Sequence, residues 1–262
     1  MNYEVTKYPQ GTFSWADFFS TDINSSKKFL IGVFGWDAQD MPTAPGKPDY
    51  TMFSMNGKYV AGGSPAFDPK MGSFWQSYIT VENLDEMVKK AEVLGAKILM
   101  PAMDVLDSGR MATIADLEGA TVSLWQPNKH IGAGIVNIPG AMSWNELYVK
   151  DTEKAKDFYS KLFGWTYNTD ESNGYITIRN NGRANGGIFK LTNEMQGVPP
   201  NWTVYFTVQN LDDTIAKVKE FGGQIGMGPK EIGVGKIAMV SDPANAHFMI
   251  MEMKVTPTPW NE

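Results

Sequence analysis

Cysteine is absent from the 262 residues, and histidine occurs only twice, as His130 and His247. The first absence excludes disulfides, thiolate metal sites and a cysteine nucleophile. The second leaves too little imidazole for a Ser-His-Asp set. No run approaches the roughly 18 apolar residues that a membrane span needs. The opening MNYEVTKYPQGTF lacks the apolar stretch of a signal peptide, so a cytoplasmic location is expected. Positive charge is short as well: 23 Lys and Arg against 29 Asp and Glu give a net charge of -6. With no basic stripe to neutralise phosphates, neither nucleic acid nor membrane is expected as a partner. What is present is an ordinary globular balance, 42% hydrophobic and 20% charged, in a length that suits two domains. Eight Trp provide large rings that either fill a core or line a ligand cleft.

The chain is internally duplicated. Ser14-Trp15 recurs as Ser143-Trp144, Asp22 as Asp151, and Phe34-Gly35-Trp36 as Phe163-Gly164-Trp165. Gly62-Gly63 recurs as Gly186-Gly187, Trp75 as Trp202, and Asn83-Leu84-Asp85 as Asn210-Leu211-Asp212. Pro101 and Asp116 recur as Pro229 and Asp242, with every offset between 124 and 129. Ordered matches at a near-constant offset mark one copied unit. The expected layout is an arm over 1–10, a first unit over 11–126, a linker over 127–140, a second unit over 141–253 and a tail over 254–262. Pro127, Gly132, Gly134, Pro139 and Gly140 give the linker its composition.

Each unit reads as a strand, a helix and further strands, twice over. WADFFSTD alternates like a strand, and SSKKFLIGVFGW reads as a helix capped by Ser25 or Ser26 and stopped by Gly35. Asn56-Gly57 and Asn181-Gly182 supply tight hairpin turns. FWQSYITV follows as a strand. LDEMVKKAEVLGAK is a helix with an apolar stripe and Gly95 at its end, and RMATIADLEGATVSLWQ is a strand pair. The fold expected is α+β, built from four βαβββ modules.

The pieces SWADFFSTD…FLIGVFGW and ADLEGATVSLW, repeated as SWNELYVKD…FYSKLFGW and SDPANAHFMIM, resemble the vicinal oxygen chelate (VOC) superfamily. That resemblance implies two glyoxalase-like domains in tandem, each a half-open barrel of two modules around a cleft. Members include glyoxalase I, extradiol dioxygenases, epimerases, thiol transferases and metal-free antibiotic-sequestering proteins. The family cleft usually holds a divalent metal on ligands from the first, fifth and last strands. Here those positions read Trp15, Gln76 and Ser123 in one half, and Trp144, Thr203 and Met249 in the other. Indole and thioether are poor partners for such a cation. No metal or other cofactor is therefore expected, with a divalent metal as the alternative. His130 lies in the linker, and His247 stands two residues before the last-strand position.

Strand alternation then defines the clefts. Trp15, Asp17 and Phe19 share a face, as do Trp144, Glu146 and Tyr148. Gln76 and Tyr78, with Ser123 and Trp125, join the first cleft; Thr203 and Tyr205, with His247, Met249 and Met251, join the second. Each becomes an aromatic box with one carboxylate, the shape of a small-molecule site. Asp17 and Glu146 are the catalytic candidates, since a desolvated carboxylate suits a general base or a cation acceptor. The alternative is that Arg110, Arg179 or Arg183 pairs with them, or that they face solvent. The Gly-Gly pairs lack a following Lys and Ser or Thr, so they read as bends in strands rather than phosphate loops. Three functions follow: a metal-free binder of a small organic molecule, a lyase, hydroxylase or dioxygenase of VOC type with a non-standard metal site or a carboxylate base, or a non-catalytic structural or regulatory module whose clefts its own side chains fill. Homodimerisation stays open.

Overall fold

The computed structural model describes residues 3–43 and 45–255. The tail expected over 254–262 lies mostly outside the described residues.

The first half runs β1 (Phe13–Ser20), α1 (Ile23–Phe34), β2 (Asp37–Met41), β3 (Tyr50–Met55) and β4 (Lys58–Pro65), then β5 (Phe74–Thr80), α2 (Leu84–Val93), β6 (Lys97–Val105), β7 (Gly109–Ala115) and β8 (Thr121–Pro127). The second half repeats it: β9 (Met142–Val149), α3 (Thr152–Phe163), β10 (Thr166–Thr169), β11 (Ile176–Asn180) and β12 (Arg183–Lys190), then β13 (Asn201–Val208), α4 (Leu211–Glu220), β14 (Gln224–Ile232), β15 (Gly235–Ser241) and β16 (His247–Met253). Four βαβββ modules are thus present, two to a sheet.

Local chemistry explains the boundaries. Asp22 and Asp151 cap α1 and α3 by accepting the backbone N–H of Ser25 and Lys154, and Asn83 and Asn210 do the same for α2 and α4. The cap expected at Ser25 or Ser26 therefore sits earlier. Ser25 lies inside the first turn, and Ser26 is buried, where its hydroxyl donates to Asp242. Gly35 and Gly164 end their helices in the left-handed region, at φ 70° and 77°. Gly95, at φ 95°, lies one residue beyond the Leu94 cap of α2.

Each half is one open eight-stranded sheet, in the order β2-β3-β4-β1-β5-β8-β7-β6 and its counterpart β10-β11-β12-β9-β13-β16-β15-β14. The two modules of a sheet join through their first strands, β1 antiparallel to β5 and β9 antiparallel to β13. Trp15 pairs with Tyr78, and Trp144 with Tyr205, so the duplicated residues occupy equivalent register.

The helices cover one face of each sheet, and the two covered faces pack together. One buried cluster joins Ile79, Leu84, Met87 and Leu124 of the first half to Leu147, Phe158, Tyr159 and Trp165 of the second. Another joins Phe18, Phe29, Leu30 and Trp75 to Phe206, Leu211, Val240 and Phe248. Both clusters cross the boundary between halves. Polar groups reinforce the crossing: Tyr159 donates to Asp116 at 3.0 Å while accepting from Trp202 Nε1 at 2.9 Å. Trp36 Nε1 donates to the Gly140 carbonyl, and Trp165 Nε1 to the Gly11 carbonyl, each at 2.8 Å. The opposite face of each sheet, turned away from the helices, carries the candidate site residues.

Candidate functional site

On the helix-free face of the first sheet, Asp17 is 6% exposed. Its Oδ1 accepts from Trp15 Nε1 at 2.7 Å and from the Tyr50 hydroxyl at 2.5 Å, and Tyr78 bonds to the same carboxylate. Burial pushes the Asp17 pKa up, and the bonds from Tyr50, Tyr78 and Trp15 pull the other way. Burial and the adjacent Asp17 charge hold the Tyr50 and Tyr78 phenols well above their ordinary value. Gln76 and Ser123 are buried alongside, with Ser123 Oγ 2.9 Å from Thr113 Oγ1. Phe19 stacks at the margin with Phe67 and Phe74.

The helix-free face of the second sheet repeats this with one change of length. The Glu146 carboxylate accepts from Tyr148 at 2.6 Å, from Tyr205, and from Tyr175. Trp144 Nε1 donates to the Tyr175 hydroxyl at 3.0 Å. Burial and the Glu146 charge raise all three phenols, so they stay neutral donors. Met249 and Met251 form the apolar floor beside Tyr205, and His247 stands exposed at the start of β16. Thr203 donates to Asn201 at 2.7 Å.

Trp15, Asp17 and Tyr78 thus meet on one face and Trp144, Glu146, Tyr148 and Tyr205 on the other, while Phe19 and His247 stand at the margins and two further residues join the clusters. Tyr50 and Tyr175 complete the two clusters, and they stand 125 residues apart, within the repeat offset that could have found them. The Gly-Gly pairs lie inside β4 and β12, and by strand register Gly62 opposite Asp17 is matched by Gly187 opposite Glu146 rather than by Gly186. Gly62 and Gly187 are there for space: a Cβ on Gly62 would overlap the Tyr50 hydroxyl, and one on Gly187 the Tyr175 hydroxyl. Each glycine seats the tyrosine against the carboxylate. Among the described residues no ion pair joins Arg110, Arg179 or Arg183 to either acid: Arg110 is engaged by Asp85 and Asp104, and Arg179 donates to the Gly182 carbonyl.

The faces differ in what covers them. Trp15, Tyr78 and Trp125 are 3–5% exposed. Val5 and Tyr8 of the N-terminal arm, with Ile131, Ala133 and Val136 from the segment between the halves, pack onto them. The Tyr8 hydroxyl donates to the Ala133 carbonyl at 2.7 Å, Ala133 N to the Ser14 carbonyl at 2.7 Å, and Trp125 Nε1 to the His130 carbonyl at 2.8 Å. His130 sets its ring edge-on to Trp15, with centroids 4.5 Å apart. On the second face, among the described residues, the apolar cluster is drawn from its own strands alone. Trp144, Tyr148, Tyr175 and Thr203 are only half-buried.

The residues at the family's metal positions do not fit a divalent cation. Trp15 and Trp144 present N–H donors already spent on acceptors. The nearby acids, Asp17 and Glu146, are wrapped in neutral donors rather than in imidazole or a second carboxylate. Among the described residues no three of His, Cys, Asp and Glu converge.

Three comparisons place the chain. CFP32 of Mycobacterium tuberculosis, which carries the name glyoxylase, is 38% identical over 254 residues, 94% of this chain and 97% of that protein. The anthracycline biosynthesis protein DnrV of Streptomyces peucetius is 30% identical over 265 residues, 95% of this chain and 96% of its own. In three dimensions the Mn(II)-bound glyoxalase from Novosphingobium aromaticivorans matches with TM-score 0.66 at 14% identity, over 93% of this chain and 82% of that one. The model of the Glyoxalase/Bleomycin resistance protein/Dioxygenase superfamily matches twice, over residues 12–124 and 141–250. With one match in each half and the doubled βαβββ sheets beneath them, the chain belongs to that superfamily.

Proposed function

We propose that this protein binds a small organic molecule on the free face of its second sheet, without a divalent metal, while its first face serves as structure. The observation that carries this reading is the unequal cover, among the described residues, of two otherwise matching faces. Trp15, Tyr78 and Trp125 lie under the chain's own arm and linker, whereas Trp144, Tyr148, Tyr175 and Thr203 remain half-buried. Aromatic rings flanking one fixed polar group favour a small aromatic ligand, with stacking contributing roughly 0.5–1.5 kcal/mol beyond burial. Glu146 is the anchor for the ligand's polar end and the candidate proton acceptor; Asp17 holds its own cluster together. The Streptomyces relatives are named for anthracycline biosynthesis, which supports a small organic partner rather than a macromolecule. The test is a calorimetric screen of small aromatic compounds against wild type, Trp144→Ala and Glu146→Gln, with elemental analysis of the purified protein. Hits should weaken in both variants. Equal binding by all three proteins, or stoichiometric Mn, Fe, Ni or Zn lost on mutating second-face residues, would overturn the reading.

A further inference from the structure

Resting on that reading, we infer that the ligand is a non-anionic aromatic molecule that brings its own hydrogen-bond donors, hydroxyl or amine, to the Glu146 cluster. Counting hydrogens leads there. The cluster owns four polar hydrogens, one indole N–H and three phenol O–H. Trp144 gives its hydrogen to Tyr175, while Tyr148, Tyr175 and Tyr205 give theirs to Glu146. Thr203 has likewise given its hydrogen to Asn201. What the Glu146 cluster itself leaves toward the exposed side is acceptor capacity: phenol oxygen lone pairs, those of the carboxylate, and the thioether sulfurs of Met249 and Met251, while the exposed His247 imidazole, an N–H donor, stands at the start of β16 outside the cluster. A ligand carboxylate or phosphate would meet lone pairs with its own lone pairs, next to an acid that no Lys or Arg pairs with among the described residues.

The first sheet supplies an internal comparison. Over Trp15, the counterpart of Trp144, the chain places the His130 ring and the side chains of Val5, Tyr8 and Val136. Its own occupant is thus ring and hydrocarbon. The second face presents the same type of floor with a longer acid and one more phenol, Tyr148 where the first has Phe19. It asks for a similar ring system with added donors.

Three probes on one ring system test this: 2-naphthol, 2-methoxynaphthalene and 2-naphthoate, titrated calorimetrically into the full chain. The naphthol is expected to bind about fivefold or more tighter than either of the others, since an unmatched buried acceptor costs at least about 1 kcal/mol. Two variants sharpen the test. Glu146→Gln brings amide hydrogens, and Tyr175→Phe frees the Trp144 N–H, so each should narrow the gap between naphthol and naphthoate. If the three probes bind alike, or naphthoate binds best, the donor requirement falls while binding on this face stands. If none of them binds, or Trp144→Ala leaves their binding unchanged, the site itself is wrong and the inference goes with it.

Discussion

Acidification should loosen the cover of the first face through His130. Its ring is boxed by Trp15, Trp125 and Tyr59, and its Nε2 is buried with no hydrogen-bond partner. Burial alone lowers its pKa from 6.5 to about 4. The unfolded chain takes up the proton near pH 6.5, and the folded one only near pH 4. The neutral ring's contribution is therefore present above pH 6.5 and is lost progressively as the pH falls toward about 4. Between pH 7 and pH 4.5 that amounts to about 2 kcal/mol, at 1.36 kcal/mol per pKa unit. His130→Phe keeps a ring in the box and removes the titration. Urea denaturation of both proteins at the two pH values should show the wild type losing about 2 kcal/mol more than the variant, a midpoint shift of about 1 M at a slope near 2 kcal/mol/M. Asp17, Asp116 and Asp242, whose pKa values burial raises, act in the opposite direction as the pH falls, but they are common to both proteins and cancel in the comparison. If the two lose stability in parallel, within about 0.5 kcal/mol, His130 is not held neutral by its box and the reasoning fails.

Gly187→Ala should cost about 1–3 kcal/mol by driving a Cβ into Tyr175, and Gly62→Ala the same against Tyr50. An unchanged melting temperature would show that the rings swing aside freely. Tyr159→Phe leaves an oxygen of Asp116 and the indole N–H of Trp202 without their partner, and equilibrium denaturation should register about 2–3 kcal/mol lost. Trp15→Ala, beneath the arm, should cost about 3–5 kcal/mol, whereas Trp144→Ala on the half-buried face should cost under about 2 kcal/mol. Equal losses would contradict the asymmetry between the faces.

Much of this molecule was legible because its signals are local. Asn56-Gly57 and Asn181-Gly182 do adopt positive φ, and alternation from Trp15 and Trp144 does put Asp17 and Glu146 on the faces turned away from the helices. Edge strand β2, DAQDM, left no apolar trace because it is exposed throughout, and β6, KILMPAMDV, escaped because its apolar run is unbroken by polar alternation and holds Pro101, although in the fold it alternates between exposed and half-buried positions. Tyr50 and Tyr175 escaped because they reach the carboxylates from strands distant in sequence, through room left by glycines that carry no side chain to read. The cover of the first face was hidden for a similar reason. Residues 127–140 have the composition of a linker, and only contacts such as Ala133 to Ser14, far apart in the chain, reveal what they cover.

The packing of helix-covered faces across the two halves means that the unit that was copied is not the unit that folds. Residues of one copy complete the core of the other, and the helix-end tryptophans Trp36 and Trp165 grip each other's lead-in segments at Gly140 and Gly11. In effect the chain is a dimer tethered to itself, its partners held at the roughly millimolar effective concentration that a short linker imposes. In a symmetric pair of identical subunits, any substitution that sealed one face would seal both. Joining the copies end to end breaks that bond of symmetry. The two faces are then free to diverge, one packed under the arm and linker and the other, among the described residues, lined by its own strands alone, with the two always present in equal number.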